Sequence, residues 1–241
     1  MLIDANTFFG VNPRARVDHS LGRLLEVLAE NHVDRALTYS RRGVEYDFVT
    51  GNDETMAAAR EHPQLIPVAT LDPRRHCGCR EEVARCAEMG FAAFRFFPEE
   101  QGWPVVYQPF LDLCEIIAGT GLPIILPAGG AGNQTTIGER IALFGMNVLM
   151  IGAGYGTNAE TAAVLARYDN VYSECHVYDT PGTLEKVGEF GGFDKLVFGS
   201  NSPDRYFGAA YLMGVHADFT EKQREGFFAG NVLRFLGKAA G

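Results

Sequence analysis

The sequence predicts an α/β chain folded as a single (β/α)8 TIM barrel, and three observations carry that expectation. Short apolar runs recur from one end of the 241-residue chain to the other. Stretches with apolar residues at helical spacing separate them. The runs start about 25 to 30 residues apart, the length of one strand–helix unit, and eight such units in succession favour a closed parallel barrel over an open sheet.

The strand candidates are residues 2–5, 35–39, 65–70, 92–97, 123–126, 148–151, 171–173 and 195–198. Each is short and rich in β-branched or aromatic side chains. Several are apolar almost throughout, as strands covered on both faces are. Between them, Leu21, Leu24, Leu25 and Leu28 repeat at helical spacing, as do Val83, Ala84 and Ala87, and Phe110, Leu113, Cys114 and Ile117. Helix-start signals stand at Asp18 or Ser20, at Thr157 or Asn158, and at Thr220 with Gln223 three residues on. Residues 221–236 predict an extra C-terminal helix that closes the barrel. No linker, low-complexity stretch or charge block divides the chain, so residues 1–241 read as one domain.

Composition excludes several classes. Hydrophobic residues make up 46% of the chain and the formal charge is -9. That acidity argues against nucleic-acid or anionic-membrane binding, which needs a basic footprint. Lysine occurs only at positions 186, 195, 222 and 238. No apolar run approaches the roughly 20 residues that span a bilayer. The N-terminus passes directly into a strand without a leader-like pattern. Five cysteines, an odd number, predict reduced thiols and a cytoplasmic location.

In a barrel of this kind the C-terminal ends of the strands build the site. That rule selects Asn6, Tyr39 to Arg41, Thr70 to Asp72, Arg95 to Phe97, Pro127, Gly152, Glu174 to His176, and Asn201. Glu174 and His176 are two apart on one strand and share a face. Such a carboxylate–imidazole pair suits a general base; the alternative is Glu174 paired with an arginine and His176 in a loop. The Arg95 guanidinium needs an anion, either a substrate carboxylate or an internal partner such as Asp72 or Glu174. Arg41, Arg42 and Arg205 either add positive field or are solvated loop residues. Asp72, before Pro73, either caps the next helix or reaches the substrate. Phe8, Phe96 and Phe97 make the mouth apolar, which fits a dry pocket for a small carbonyl or aromatic ligand, or a site that has filled in. His176, Glu174 and Arg95 are the catalytic candidates. Asn6, Asn201, Asp72, Tyr39, Arg41, Phe8 and Phe97 are the substrate-contact candidates.

Three weaker motifs compete. Gly152, Gly154 and Gly156 follow a strand, and Glu174 ends the next one. This approaches a dinucleotide-binding layout, although the third glycine falls one position early. With Gly129, Gly130 and Gly132 they also suit a phosphate on backbone N–H groups. His76, Cys77, Cys79 and Cys86 are either a small zinc site or ordinary reduced thiols; the usual paired Cys-x-x-Cys knuckles are missing. Cys175 faces away from Glu174 and His176 in a regular strand.

The chain resembles the amidohydrolase superfamily, and within it the short metal-dependent hydrolase barrels. The resemblance rests on Ile3-Asp4-Ala5, on Phe94-Arg95-Phe96-Phe97-Pro98 and the following Gln101-Gly102-Trp103, and on Leu122-Pro123-Ile124-Ile125-Leu126. Asn170-Val171-Tyr172, Phe198-Gly199-Ser200-Asn201-Ser202-Pro203 and the tail from Gly230 to Gly237 extend it over nearly the whole chain. It implies a hydrolase, lactonase or nonoxidative decarboxylase acting on small carboxylated or aromatic substrates. It also implies histidines at Asn6, at Phe8 and near Pro127 and Gly152, and an aspartate at Asn201. The residues present there are not metal ligands. The expectation is therefore a metal-independent enzyme for a small anionic carbonyl compound, with no metal and no cofactor. A noncatalytic relative binding a small ligand or partner chain is the alternative, favoured by a plugged mouth. A nucleotide-dependent oxidoreductase is the third reading. Barrels of this kind often pair through outer helices, which leaves a homodimer open.

Overall fold

Eight parallel strands pair in sequence order: β1 (Ile3–Asp4), β2 (Arg35–Thr38), β3 (Leu65–Thr70), β4 (Ala93–Arg95), β5 (Ile124–Pro127), β6 (Val148–Ile151), β7 (Val171–Glu174) and β8 (Leu196–Val197). The computed structural model describes residues 1–12, 17–45 and 47–237. The seam between β8 and β1 is joined as well. Ala5 N donates to Phe198 O (3.0 Å), Phe8 N donates to Ser202 O (3.1 Å), and Thr7 bridges Ser202 in parallel. These bonds turn the sheet into a ring, the (β/α)8 barrel that the spacing predicts. β1, β4 and β8 are shorter than their apolar runs, although flanking residues still bond to neighbouring strands, as Ala92 N does to Pro67 O and Phe96 N to Ile125 O.

The strands alternate with α1 (Leu21–Glu30), α2 (Phe48–Glu61), α3 (His76–Met89), α4 (Gln108–Thr120), the irregular turns α5 (residues 133–144), α6 (Asn158–Arg167), α7 (Thr183–Gly191) and α8 (Phe207–His216). Ser20, not Asp18, caps α1 through a side-chain bond to Arg23 N. No described helix is long and apolar enough to cross a membrane. The C-terminal helix α9 (residues 221–235) opens with the expected capping box at Thr220 and Gln223 and widens into a π turn at Gly226–Gly230. Its second half plugs the bottom of the ring. Asn147, just before β6, donates to Phe235 O (2.8 Å), and Phe235 packs edge-on to Tyr172 inside the barrel (5.7 Å).

Side-chain alternation divides the core in two. Ile3, Leu37, Ile66, Val68, Ala93, Ile125, Leu149 and Val197 fill the interior with α9. Phe94, Leu126, Val148 and Cys175 point outward to the helices. Phe96 belongs to this outer layer, 4.8 Å from Phe110 and 6.3 Å from Trp103. The expectation that Phe96 lines the mouth is therefore corrected: one residue along a strand reverses the face, so only Phe97 and Arg95 of this segment point in. A bend at Ala5–Asn6 interrupts the alternation of β1, which lets Ile3, Ala5 and Phe8 all reach the interior.

Beneath the mouth, a fully buried carboxylate holds the seam. Asp4 Oδ1 accepts from Asn6 N and Ser200 N (3.0 Å each), and Oδ2 accepts from the Ser200 hydroxyl. Ser202 Oγ stands 2.7 Å from Ser200 Oγ. Burial pushes the Asp4 carboxyl up from 3.8 to about 7. The Ser200 hydroxyl and the Asn6 and Ser200 amides pull it down, and the charge of Glu174 raises it. The folded protein thus keeps a proton that the unfolded chain releases near 3.8. Raising the pH across that interval costs stability, because the native state binds the extra proton. We expect the unfolding free energy from urea titrations to fall as the pH rises through the interval from 3.8 to about 7, by on the order of a few kcal/mol. Asp4→Asn keeps the shape, removes the titration and should flatten that slope; an unchanged slope in this variant would assign it to other groups.

Candidate active site

Glu174 ends β7 with no exposed surface, and two residues later the backbone turns back over it. His176 N donates to Glu174 Oε1 (2.6 Å), and His176 Nδ1 stands 2.7 Å from Oε2. Gly152 N, at the end of β6, donates to the same Oε2 (3.3 Å). The pair that the sequence spacing anticipates is formed, but by the turn after β7 and not on one strand face, since the strand ends at Glu174. Gly199 makes room for it: a Cβ there would lie 2.6 Å from Glu174 Cγ and 2.9 Å from Asn6 Cβ.

Asn6 extends the pair across the barrel. Its Oδ1 accepts from Arg95 Nη1 (2.8 Å), and its Nδ2 lies 3.2 Å from His176 Nδ1. The network assigns the protons. Arg95 only donates, so the Asn6 oxygen faces it. A carboxylate 2.7 Å from Nδ1 requires a proton on that nitrogen. The neutral imidazole therefore carries its lone pair on Nε2, which no described residue occupies.

Arg95 is 6% exposed and has no carboxylate within ion-pair distance among the described residues. The internal partners foreseen for it, Asp72 and Glu174, are both engaged elsewhere. Its guanidinium lies over the ring of Tyr39 (4.6 Å) and near that of Phe97 (5.3 Å), and its Nε is buried without an acceptor. Tyr39 and Phe97 touch each other (5.1 Å), and Phe8 lies 5.9 Å from Tyr39. These rings bury the positive charge on apolar faces that attract it.

The other candidates divide. Arg41 is not a solvated loop residue: it is 6% exposed, bridges Glu45 and Glu100, and lies over Phe8 (5.8 Å). Its bond to Glu100 ties the loop after β2 to the loop after β4 (2.6 Å). Arg42 pairs with Glu54 and Arg205 is exposed. Asp72 accepts from Arg74 N, Nε and Nη2, so it works as a local cap and ion pair. Asn201 adopts φ 58° in the turn after β8, where its carbonyl accepts from Asp204 and Arg205 N. Sequence reasoning missed Asp4 and Gly199. A charged residue inside an apolar strand was the available signal for Asp4. It also missed His19, buried against Phe8 (5.1 Å) and bonded through Nε2 to Asp204 (3.1 Å).

The geometry bears on two competing motifs. Cys79 donates to Asp72 O and Cys86 to Glu82. Burial pushes the Cys79 thiol up to about 12 and raises that of Cys86. These are the bonds of ordinary reduced thiols; the His76 side chain of that motif lies outside the described residues. The dinucleotide reading needs a free Glu174 to hold a ribose, and that carboxylate is buried beneath His176.

A divalent ion does not fit the mouth. Both Glu174 oxygens accept hydrogen bonds, Arg95 places a cation against Asn6, and Phe8, Pro127 and Gly152 offer no side-chain donors. Among the described residues no group of three His, Cys, Asp or Glu is placed to hold a metal.

Barrel, strand-end site and sequence together define the class. The profile of the Amidohydrolase family matches residues 14–238, and the chain belongs to that family. No curated protein sequence matches it significantly. Among solved structures, 5-carboxyvanillate decarboxylase from Novosphingobium aromaticivorans with bound manganese superposes with a TM-score of 0.77 at 13% identity, covering 98% of this chain and 97% of the other. 2,6-Dihydroxybenzoate decarboxylase from Rhizobium gives 0.76 at 11%, covering 98% of each. A probable 2-pyrone-4,6-dicarboxylic acid hydrolase from Acinetobacter baumannii with citric acid gives 0.72 at 13%, covering 98% and 99%. At these identities the likeness concerns the fold.

The proton assignment is open to measurement. Nitrogen-15 shifts of His176 should report Nδ1–H with a bare Nε2, and Glu174→Gln should abolish that preference. An Nε2–H tautomer in the unmodified protein contradicts the assignment.

Proposed function

We propose that the chain is a metal-independent enzyme that hydrolyses or decarboxylates a small anionic carbonyl compound. One observation carries the reading: an imidazole locked at Nδ1 by buried Glu174, with Nε2 free, stands one amide away from a buried guanidinium that lacks an anion. The substrate carboxylate supplies the charge that Arg95 lacks, and a two-point hydrogen bond to the guanidinium fixes its plane. Asn6 sets the spacing between guanidinium and imidazole. Nε2 then removes a proton from the attacking water in hydrolysis of a lactone or amide. Glu174 stabilises the imidazolium that results, and the same imidazolium returns the proton to the leaving group. In decarboxylation, Nε2 first takes a proton from solvent, and the imidazolium passes it to the ring carbon as the bond to the carboxyl breaks and carbon dioxide leaves. No step draws on a metal, because the donor set at the mouth does not suit one.

A second reading, ligand binding without turnover, has its own support. Phe8, Tyr39, Arg95 and Phe97 are each 6% exposed or less, which is a plugged mouth. Access then requires the Arg41–Glu100 tie and these rings to part.

Chelator-stripped protein should turn over a panel of carboxylated lactones and hydroxylated aromatic carboxylates. His176→Ala should lower kcat about 100-fold or more, the usual size of a general-base contribution. Arg95→Gln should act chiefly on KM for the anionic substrates. Turnover that appears only with added manganese or zinc, or that survives His176→Ala, rules the mechanism out. Saturable binding without turnover selects the second reading.

A further inference from the structure

The loops after β6 and β7, which carry Gly152 and His176, also frame a second cavity. It has a volume of about 310 Å³ and lies between α6 and α7. None of Asn6, Tyr39, Arg95, Phe97, Glu174 and His176 lines it, so it is separate from the mouth.

Three features give this cavity a chemistry. The first is its apolar walls. Ala159 and Ala162 stand three apart on α6, and Val187 and Phe190 stand three apart on α7, so each helix turns one face to the cavity. Tyr155 and Phe190 form lips that are 74% exposed, an unusual placement for two large rings beside one cleft. The second is Lys186, an ammonium in the lining that has no carboxylate partner among the described residues. Neighbouring acids are engaged elsewhere: Glu160 accepts from Gly132 N and Thr135, Glu185 from Asp218 N, and Asp179 from Thr180. The third is the Asn158 side-chain amide at the start of α6: its Oδ1 is buried, so Nδ2 is the group it can present to the cavity. An amide N–H donates to a hydroxyl or carboxylate oxygen.

Size narrows the ligand. Small-molecule sites run from roughly 300 to 1,000 Å³, so this one suits a single ring and not a dinucleotide. We infer that the cavity is a second ligand site, for a one-ring hydroxylated carboxylate. The carboxylate pairs with Lys186, Asn158 Nδ2 donates to the hydroxyl oxygen, and the ring lies between the α6 alanines and Phe190. This inference is independent of the chemistry at His176.

The test is a titration of the full chain with 4-hydroxybenzoate, followed by nitrogen-15 amide spectra. Saturable shifts should centre on Asn158, Ala162, Thr183 and Lys186. Benzoate and phenol, each lacking one polar group, should bind about tenfold more weakly, as should Lys186→Gln with the original probe. Lys186 is exposed, so that variant should fold normally, and its far-UV spectrum checks this. Phe190→Ala should weaken benzoate and 4-hydroxybenzoate alike, because it removes the ring contact and neither polar one. Shifts confined to Asn6, Arg95 and His176 overturn the inference, as do no saturation at millimolar probe, equal affinity for phenol, or affinity unchanged in Lys186→Gln.

Discussion

The buried guanidinium of Arg95 is the constraint around which the mouth is organised. A full positive charge at 6% exposure is costly unless its surroundings answer it. The protein answers it two ways, with the Asn6 carbonyl oxygen and with the π faces of Tyr39 and Phe97, and leaves Nε without an acceptor. The first response fixes the orientation of the Asn6 amide. That orientation turns Nδ2, itself a donor, toward Nδ1, so the 3.2 Å contact is no hydrogen bond once Nδ1 carries its proton, and Glu174 sets the tautomer of His176.

The same charge explains why the family's fold is kept while a metal is a poor fit. A divalent ion and a guanidinium in one mouth repel each other, and Asn6, Phe8, Pro127, Gly152 and Asn201 supply none of the imidazole or carboxylate donors a metal needs. Arg95 is a fixed cation within the ring, held by covalent attachment to β4. Unlike a metal ion it lowers no water pKa, so the reaction proposed above takes its proton acceptor from the protein. In that proposal His176 with Glu174 is the acceptor. Relatives with the same fold include manganese-bound decarboxylases and a probable dicarboxylate hydrolase, so the barrel itself does not fix the chemistry at its rim.

Below this layer, Asp4 joins mechanics to electrostatics. It is needed where β1 meets β8, because the seam has few ladder bonds and the Ser200 turn must be held. Its proximity to Glu174 means that two carboxylates share one buried region; burial first, then the charge of Glu174, push the Asp4 carboxyl up, while Glu174 takes hydrogen bonds from three groups. Gly199 is the space that lets the two layers stack.

Much of this was legible in the sequence alone. The repeat of apolar runs determined the strand count, order and barrel class, because burial on both faces demands such runs whatever surrounds them. The closeness of Glu174 and His176 in sequence foretold the pair, although it forms through the turn after β7, where His176 N folds back onto Oε1, and not through strand parity. What the sequence could not decide was contact between distant strands. The choice of Asn6 over Asp72 or Glu174 as the partner of Arg95, the burial of Arg41, the outward turn of Phe96 and the closure of the mouth depend on the curvature of the ring, on bends such as Ala5–Asn6, and on which loops meet across it. Those are properties of three-dimensional packing, where residues 89 apart in the chain come within 2.8 Å, and no local pattern encodes them.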